Sequence, residues 1–189
     1  VLVAVPSRAG VSRYQALKKR IDELVGRING KYGTTDWVPV TYFYNFLPFE
    51  TLVAFYSAAD VALVTPLRDG MNLMAKEYVA TRTDGTGVLI LSEMAGAAEE
   101  LGEAIIVNPN DRDAVIEAIE AALAMPEKEQ VERNRTMQRR LMRYDIERWV
   151  GDFLTRLGDA RAIRVERSEQ IVTPAIREQL VDDYAAAQD

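Results

Sequence analysis

The segment TPLRDGMNLMAKEYVA, residues 65–80, puts an arginine, an aspartate and a glycine where the chain must bend between two regular elements. The run before it, residues 61–64, is short, apolar and rich in valine, as a strand buried in a parallel sheet would be. The run after it, residues 73–81, repeats apolar residues at helical spacing. Loop 65–72 is therefore predicted at the point where a strand feeds a helix. That point lies at the carboxyl edge of a sheet, where open α/β folds hold their ligands.

The same alternation extends in both directions. Upstream, residues 1–6 read as a buried first strand, and residues 11–32 as an amphipathic helix with Tyr14, Leu17, Ile21, Leu24, Val25 and Ile28 on one face, closed near Gly30 or Gly33. Residues 38–44 read as a second strand, followed by a turn at 45–48, a short helix at 49–58 and a third strand at 60–64. Downstream, residues 87–91 form a predicted fourth strand, the small-residue segment MAGAAEELG follows, and residues 104–107 form a fifth. Strands alternating with helices predict a mostly parallel, Rossmann-like, doubly wound α/β sheet.

Asp111 is the expected N-cap of a helix reaching about residue 125, and Pro126 starts another that carries the run EKEQVERNRTMQRR. Its mixed signs predict a solvated face. Ile146, Trp149, Val150, Phe153, Leu154 and Leu157 form an apolar stripe on a further helix, which must pack on something. Beyond Gly158 a polar connector, 159–170, is expected to lead into a helix with Thr173 as N-cap, Pro174 at its first position and the apolar line Ile176, Leu180, Tyr184. A chain opening in a strand and closing in an uncapped helix is expected to be part of something longer.

Composition narrows the chemistry. The 189 residues, 48% hydrophobic and 28% charged, suffice for one well-buried domain with an appendage. No stretch approaches the roughly 20 apolar residues of a membrane span, so no membrane partner and a cytoplasmic location are expected. With no cysteine and no histidine, thiolate nucleophiles, Cys-based zinc sites and the commonest general base are excluded. The chemistry must rest on carboxylates, Arg, Lys and backbone dipoles. A net charge of −6 argues against nucleic acid as a partner.

A helix opening at a ligand-facing loop presents unpaired N–H groups and the positive end of its dipole, so an anion such as a diphosphate is held there without a metal. Gly70 would let the backbone approach closely, Met71, Asn72 and Leu73 would supply amides, and Asp69 would project a carboxylate toward neighbouring hydroxyls. Glu77, four residues past Leu73, shares the loop's face and is within reach of a second polyol such as ribose. On residues alone, an ordinary Asp-Gly turn and a solvated glutamate remain open. Arg68 is read as structural, orienting the loop or pairing with Asp69 or Glu93. Trp37 and Trp149 are read as core or interface anchors, and the Met71 and Met74 side chains as packing residues.

The segments VTPLRDGMNLMAKEYVA, AVPSR, GRINGKYGTTDWVPV, VLILSEMAGAAEELGEAIIVNPND and RW..DFL, in that order, resemble the C-terminal half of the trehalose-6-phosphate synthases, retaining glycosyltransferases of the GT-B fold. The resemblance runs from residue 1 to about 157. The tail VTPAIREQLVDDYAAAQD is similar to the connector that precedes the phosphatase domain in fused synthase–phosphatase proteins.

This resemblance implies a UDP-glucose-binding domain at 1–158 and, at 159–189, a connector toward a phosphatase domain. Glucose would pass from UDP-glucose to glucose 6-phosphate, giving trehalose 6-phosphate and UDP, with no cofactor or metal. It casts Asp69 on the glucose hydroxyls, the backbone of Gly70, Met71 and Asn72 on the sugar, that of Leu73 on the diphosphate, and Glu77 on the ribose hydroxyls. Leu47 would contact the uracil through its backbone, and Arg8 would face the acceptor phosphate. An N-terminal GT-B domain, and a basic Arg/Lys pair on a strand-loop upstream of VLVAVPSR that grips the diphosphate, would complete the site, so the 189 residues alone are expected to bind UDP-glucose weakly without turnover. A non-catalytic regulatory relative and a synthase using another acceptor, such as glycerol 3-phosphate, are the alternatives. Homo-oligomerisation is left open.

Overall fold

The computed structural model describes residues 1–6, 11–144, 146–171 and 174–186. Five strands are described, all paired in parallel. β1 (Leu2–Val3) pairs with β2 (Tyr42–Phe43), while β3 (Val61–Val64), β4 (Val88–Ser92) and β5 (Ile105–Val107) form a second sheet in the order β3-β4-β5. Seven helices connect and follow them: α1 (Ser12–Tyr32), α2 (Phe49–Ala58), α3 (Leu73–Thr81), α4 (Arg112–Ala124), α5 (Glu127–Arg143), α6 (Ile146–Ile171) and α7 (Pro174–Ala186).

β4 is the centre of the core because it is apolar on both faces. Leu89 and Leu91 pack with Ala75, Tyr78 and Val79 of α3 and Met137 of α5, whereas Val88 and Ile90 pack with Ala118 and Ala122 of α4. Burying each of the Val, Leu, Ile and Met side chains contributes about 1.5–3 kcal/mol. Helices on both faces make the larger sheet doubly wound, as the alternation predicts.

The first and second strands are shorter than expected, and the fourth is shifted by one residue. Asn29 of α1 grips Val40, accepting its N–H on Oδ1 (2.9 Å) and donating from Nδ2 to its carbonyl (2.8 Å). Val40 therefore pairs with a side chain instead of a strand, and Pro39 has no N–H to offer a ladder. At the start of β4, Gly87 has φ +86°, which takes it out of the ladder, and a β-carbon there would meet the Tyr78 hydroxyl and the Arg82 guanidinium. The first strand is not buried: Leu2 is 41% exposed, its described pairing being with β2 alone. The apolar face of α1 is likewise largely exposed, with no buried residue in the helix.

Asp111 caps α4 as predicted, Oδ1 accepting from the N–H groups of Asp113 and Ala114. The charge run on α5 is only partly solvated. Gln130, Asn134 and Gln138, spaced by four, share its inward face. The Gly87 N–H donates to the Gln130 side chain, Asn134 Nδ2 donates to the carbonyls of Gly85, Thr86 and Gly87, and Gln138 Nε2 donates to those of Val79 and Arg82. These amides pin the turn before β4 and the end of α3.

The expected connector after Gly158 is also different, since α6 runs unbroken to Ile171. A single glycine costs a helix only about 1 kcal/mol relative to alanine, and the Ala, Arg, Glu and Gln residues beyond it favour continuation. The predicted Thr173 cap lies outside the described residues, and the stripe from Ile146 to Leu157 is exposed. No helix among the described residues is long and apolar enough to cross a membrane.

Candidate functional site

The loop after β3 is built by its own side chains. Asp69 Oδ1 accepts the Met71 N–H (3.1 Å) and Oδ2 accepts from Asn72 Nδ2 (3.1 Å), while Asn72 Oδ1 accepts the Ala75 N–H (3.0 Å) and caps α3. Asn72 reaches this position with φ 75°, the only left-handed non-glycine residue among those described. Asparagine tolerates that conformation because its short amide bonds locally.

A second layer fixes the loop from behind. The loop after β4 runs alongside, with a parallel bridge between Asp69 and Ala95. The Asp69 N–H donates to the Met94 carbonyl (3.2 Å), the Gly96 N–H to the Asp69 carbonyl (3.1 Å) and the Ala97 N–H to the Met71 carbonyl (2.7 Å). A β-carbon on Gly96 would collide with the Gly70 carbonyl, so this approach requires glycine. A β-carbon on Gly70 itself would meet nothing within 4 Å. The close approach at Gly96 falls within the MAGAAEELG segment. Its run of small residues was the available signal that two backbones meet there.

The structure thus gathers Asp69, Gly70, Met71, Asn72 and Leu73 into one turn at the N-terminus of α3, with Glu77 one helical turn along. The predicted Met71 amide is engaged by Asp69. The Leu73 and Met74 N–H groups open the helix, where no intrahelical acceptor precedes them. Leu47 stands apart, half-buried on the 44–48 connection between β2 and α2, and Arg8 lies outside the described residues.

Glu77 is half-buried and accepts a hydrogen bond on Oε2 from the Tyr56 hydroxyl of α2 (3.2 Å). Burial first, and then the Glu77 charge, push the Tyr56 phenol above its ordinary range, so it remains a donor at neutral pH. No local pattern in the sequence joins Tyr56 to Glu77, which lies 21 residues away.

Arg68 is exposed and makes no ion pair with Asp69 or Glu93 among the described residues, because the Asp69 oxygens serve the loop. Lys76 pairs with Glu100 at 2.8 Å. The Met74 side chain is 48% exposed, and neither tryptophan is in the core: Trp37 is 60% exposed and Trp149 is 38% exposed, stacked on Phe153. A cleft of about 620 Å³ opens on Gly70, Met71 and Gly96 and is walled by Arg140, Trp149 and Phe153.

Residues 1–159 match the family described as Glycosyltransferase family 20. The chain is 52% identical, over 99% of its length, to 26% of a bifunctional trehalose-6-phosphate synthase/phosphatase of Thermoproteus tenax. It is similar to an alpha,alpha-trehalose-phosphate synthase (UDP-forming) from Burkholderia xenovorans, solved in complex with glucose-6-phosphate (TM-score 0.78, 42% identity, 82% of this chain and 34% of that one). A structure from E. coli, bound with UDP-2-fluoro glucose, superposes equally well (TM-score 0.78, 44% identity, 82% of this chain and 35% of that one). The chain therefore spans between about a quarter and a third of the length of these relatives. With the family matched over most of its residues and the fold shared with solved members, the chain belongs to glycosyltransferase family 20.

Proposed function

We propose that this chain is the donor-binding half of a retaining glycosyltransferase that transfers glucose from UDP-glucose to glucose 6-phosphate, giving trehalose 6-phosphate and UDP. The observation that carries the reading is the Asp69–Asn72 turn, self-bonded and backed by Gly96, opening α3 with Glu77 one turn beyond. A carboxylate offers about four acceptor sites, and Asp69 uses two of them within the loop. The remainder serve the glucose hydroxyls. The first-turn amides of α3, from Leu73 onward, together with the helix dipole stabilise charge on the departing diphosphate. Glu77 accepts from the ribose hydroxyls, Leu47 contacts the base through its backbone, and Arg8 faces the acceptor phosphate.

In this reading residues 1–158 form the donor domain and 159–189 lead to a phosphatase domain. The similarity to the synthase/phosphatase covers the tail as well, whereas the family match ends at residue 159. An N-terminal GT-B domain completes the acceptor pocket, and the protein works in the cytoplasm.

Calorimetric titration with UDP, UDP-glucose, ADP and GDP tests the donor site. Uridine-selective binding weakened about tenfold or more by Glu77→Ala, a loss of about 1.4 kcal/mol, is expected. Equal affinity for the three nucleoside diphosphates, or no effect of the substitution, would overturn it. Product analysis of the full-length protein with glucose 6-phosphate or glycerol 3-phosphate tests the acceptor.

A further inference from the structure

Glu77 is held from a direction that the loop does not supply. The Tyr56 hydroxyl reaches its Oε2 from α2, and the Tyr56 ring stands edge-on to the buried Tyr78, with centroids 6.3 Å apart at 81°. The Tyr56 carbonyl accepts from Nη1 of Arg82, as do those of Ser57 and Ala59, at 3.2, 2.5 and 3.0 Å. Arg82 is 4% exposed and is itself fastened to the Thr86 carbonyl through Nε and to Asp84 through Nη2. Ring and backbone of Tyr56 are thus separately fixed, and its hydroxyl is aimed at one oxygen of one carboxylate.

A carboxylate on a helix surface turns freely about its terminal torsion. One hydrogen bond to Oε2 removes that freedom and leaves Oε1 to accept from whatever lies beside the helix. The same helix that carries Tyr56 begins at Phe49, directly after Leu47 and Pro48. α2 therefore has the turn at Leu47 before one end and the partner of Glu77 two turns along.

We propose that Tyr56 is a positioning residue for the donor site, orienting the Glu77 carboxylate so that it accepts the vicinal hydroxyls of a nucleotide ribose. The inference rests on the reading of Glu77 as the ribose acceptor. Tyr56 touches no reacting atom. It acts through Glu77, and through α2 it couples the ribose side of the site to the base side.

The test is a calorimetric double-mutant cycle on the full-length protein, with Tyr56→Phe, Glu77→Ala and the double variant titrated with UDP and with 2′,3′-dideoxy-UDP. Tyr56→Phe is expected to weaken UDP about three- to ten-fold, the scale of one hydrogen bond. It should leave dideoxy-UDP unchanged and add nothing once Glu77 is alanine. An equal loss for both ligands would show a merely structural role and overturn the proposal, as would an unchanged affinity for UDP. If Glu77→Ala itself leaves UDP binding intact, the assignment of Glu77 fails, and this inference fails with it.

Discussion

Gly96 lies against Gly70 so closely that a β-carbon at position 96 would run into the Gly70 carbonyl oxygen. The relationship links two loops that are separated in sequence by α3 and β4. It joins the turn that carries Asp69 to the turn that follows β4, and the bonds from Gly96 to Asp69 and from Ala97 to Met71 complete the seam.

Gly96→Ala is therefore expected to push the Asp69 turn away from its support. Overpacking against backbone costs about 1–3 kcal/mol, which thermal melting will register. UDP-glucose affinity should fall in the same variant, because the turn and the start of α3 move together. A variant that melts and binds like the parent would show that the seam yields without consequence.

Gly70→Ala should behave in the opposite way. With nothing within 4 Å of the added methyl and no left-handed backbone at that position, stability should change by less than about 0.5 kcal/mol. Donor binding should weaken about tenfold or more, equivalent to 1.4 kcal/mol. Urea titration beside calorimetry separates the two effects, and intact binding would remove Gly70 from the site.

At Asn72 the order of two substitutions is diagnostic. Alanine loses the cap on Ala75 and is forced into the left-handed region, costing about 2 kcal/mol together. Glycine loses the cap but adopts φ 75° without strain, so it should cost less than half as much. Urea denaturation that ranks alanine as the milder change would contradict the geometry.

The acid limb of stability should depend on Glu103. The Arg140 guanidinium, bonded to it at 2.6 and 2.8 Å, holds this carboxyl below its ordinary value of 4.5. As pH falls the unfolded chain takes up the proton first, so the contribution is full above that value and is lost as pH passes through the lower folded value. Both side chains are partly exposed, so Glu103→Gln should cost under about 1 kcal/mol at neutral pH. The gap to the parent should narrow steadily as pH falls below that ordinary value, as urea titrations at several pH values will reveal.

Some of this was legible locally. The bounds of α2 and α3, the Asp111 cap and the strand-loop-helix order around Asp69 depend on periodicity and capping chemistry within a few residues. The length of the second strand was not, because Asn29 takes the backbone of Val40 from another element. Nor was the inward face of α5, whose amides meet a turn more than forty residues away.

The sequence by itself determined the alternating parallel architecture, the helix that opens after loop 65–72 and the residue types assembled there, since hydrophobic period, caps and turn chemistry act over one or two helical turns. Only the tertiary structure decided that Gly96 backs Gly70, that Asp69 bonds its own loop in place of Arg68, and that Tyr56 holds Glu77. Those outcomes depend on which backbones pack together once β4 is buried from both sides, and no local rule contains that distance.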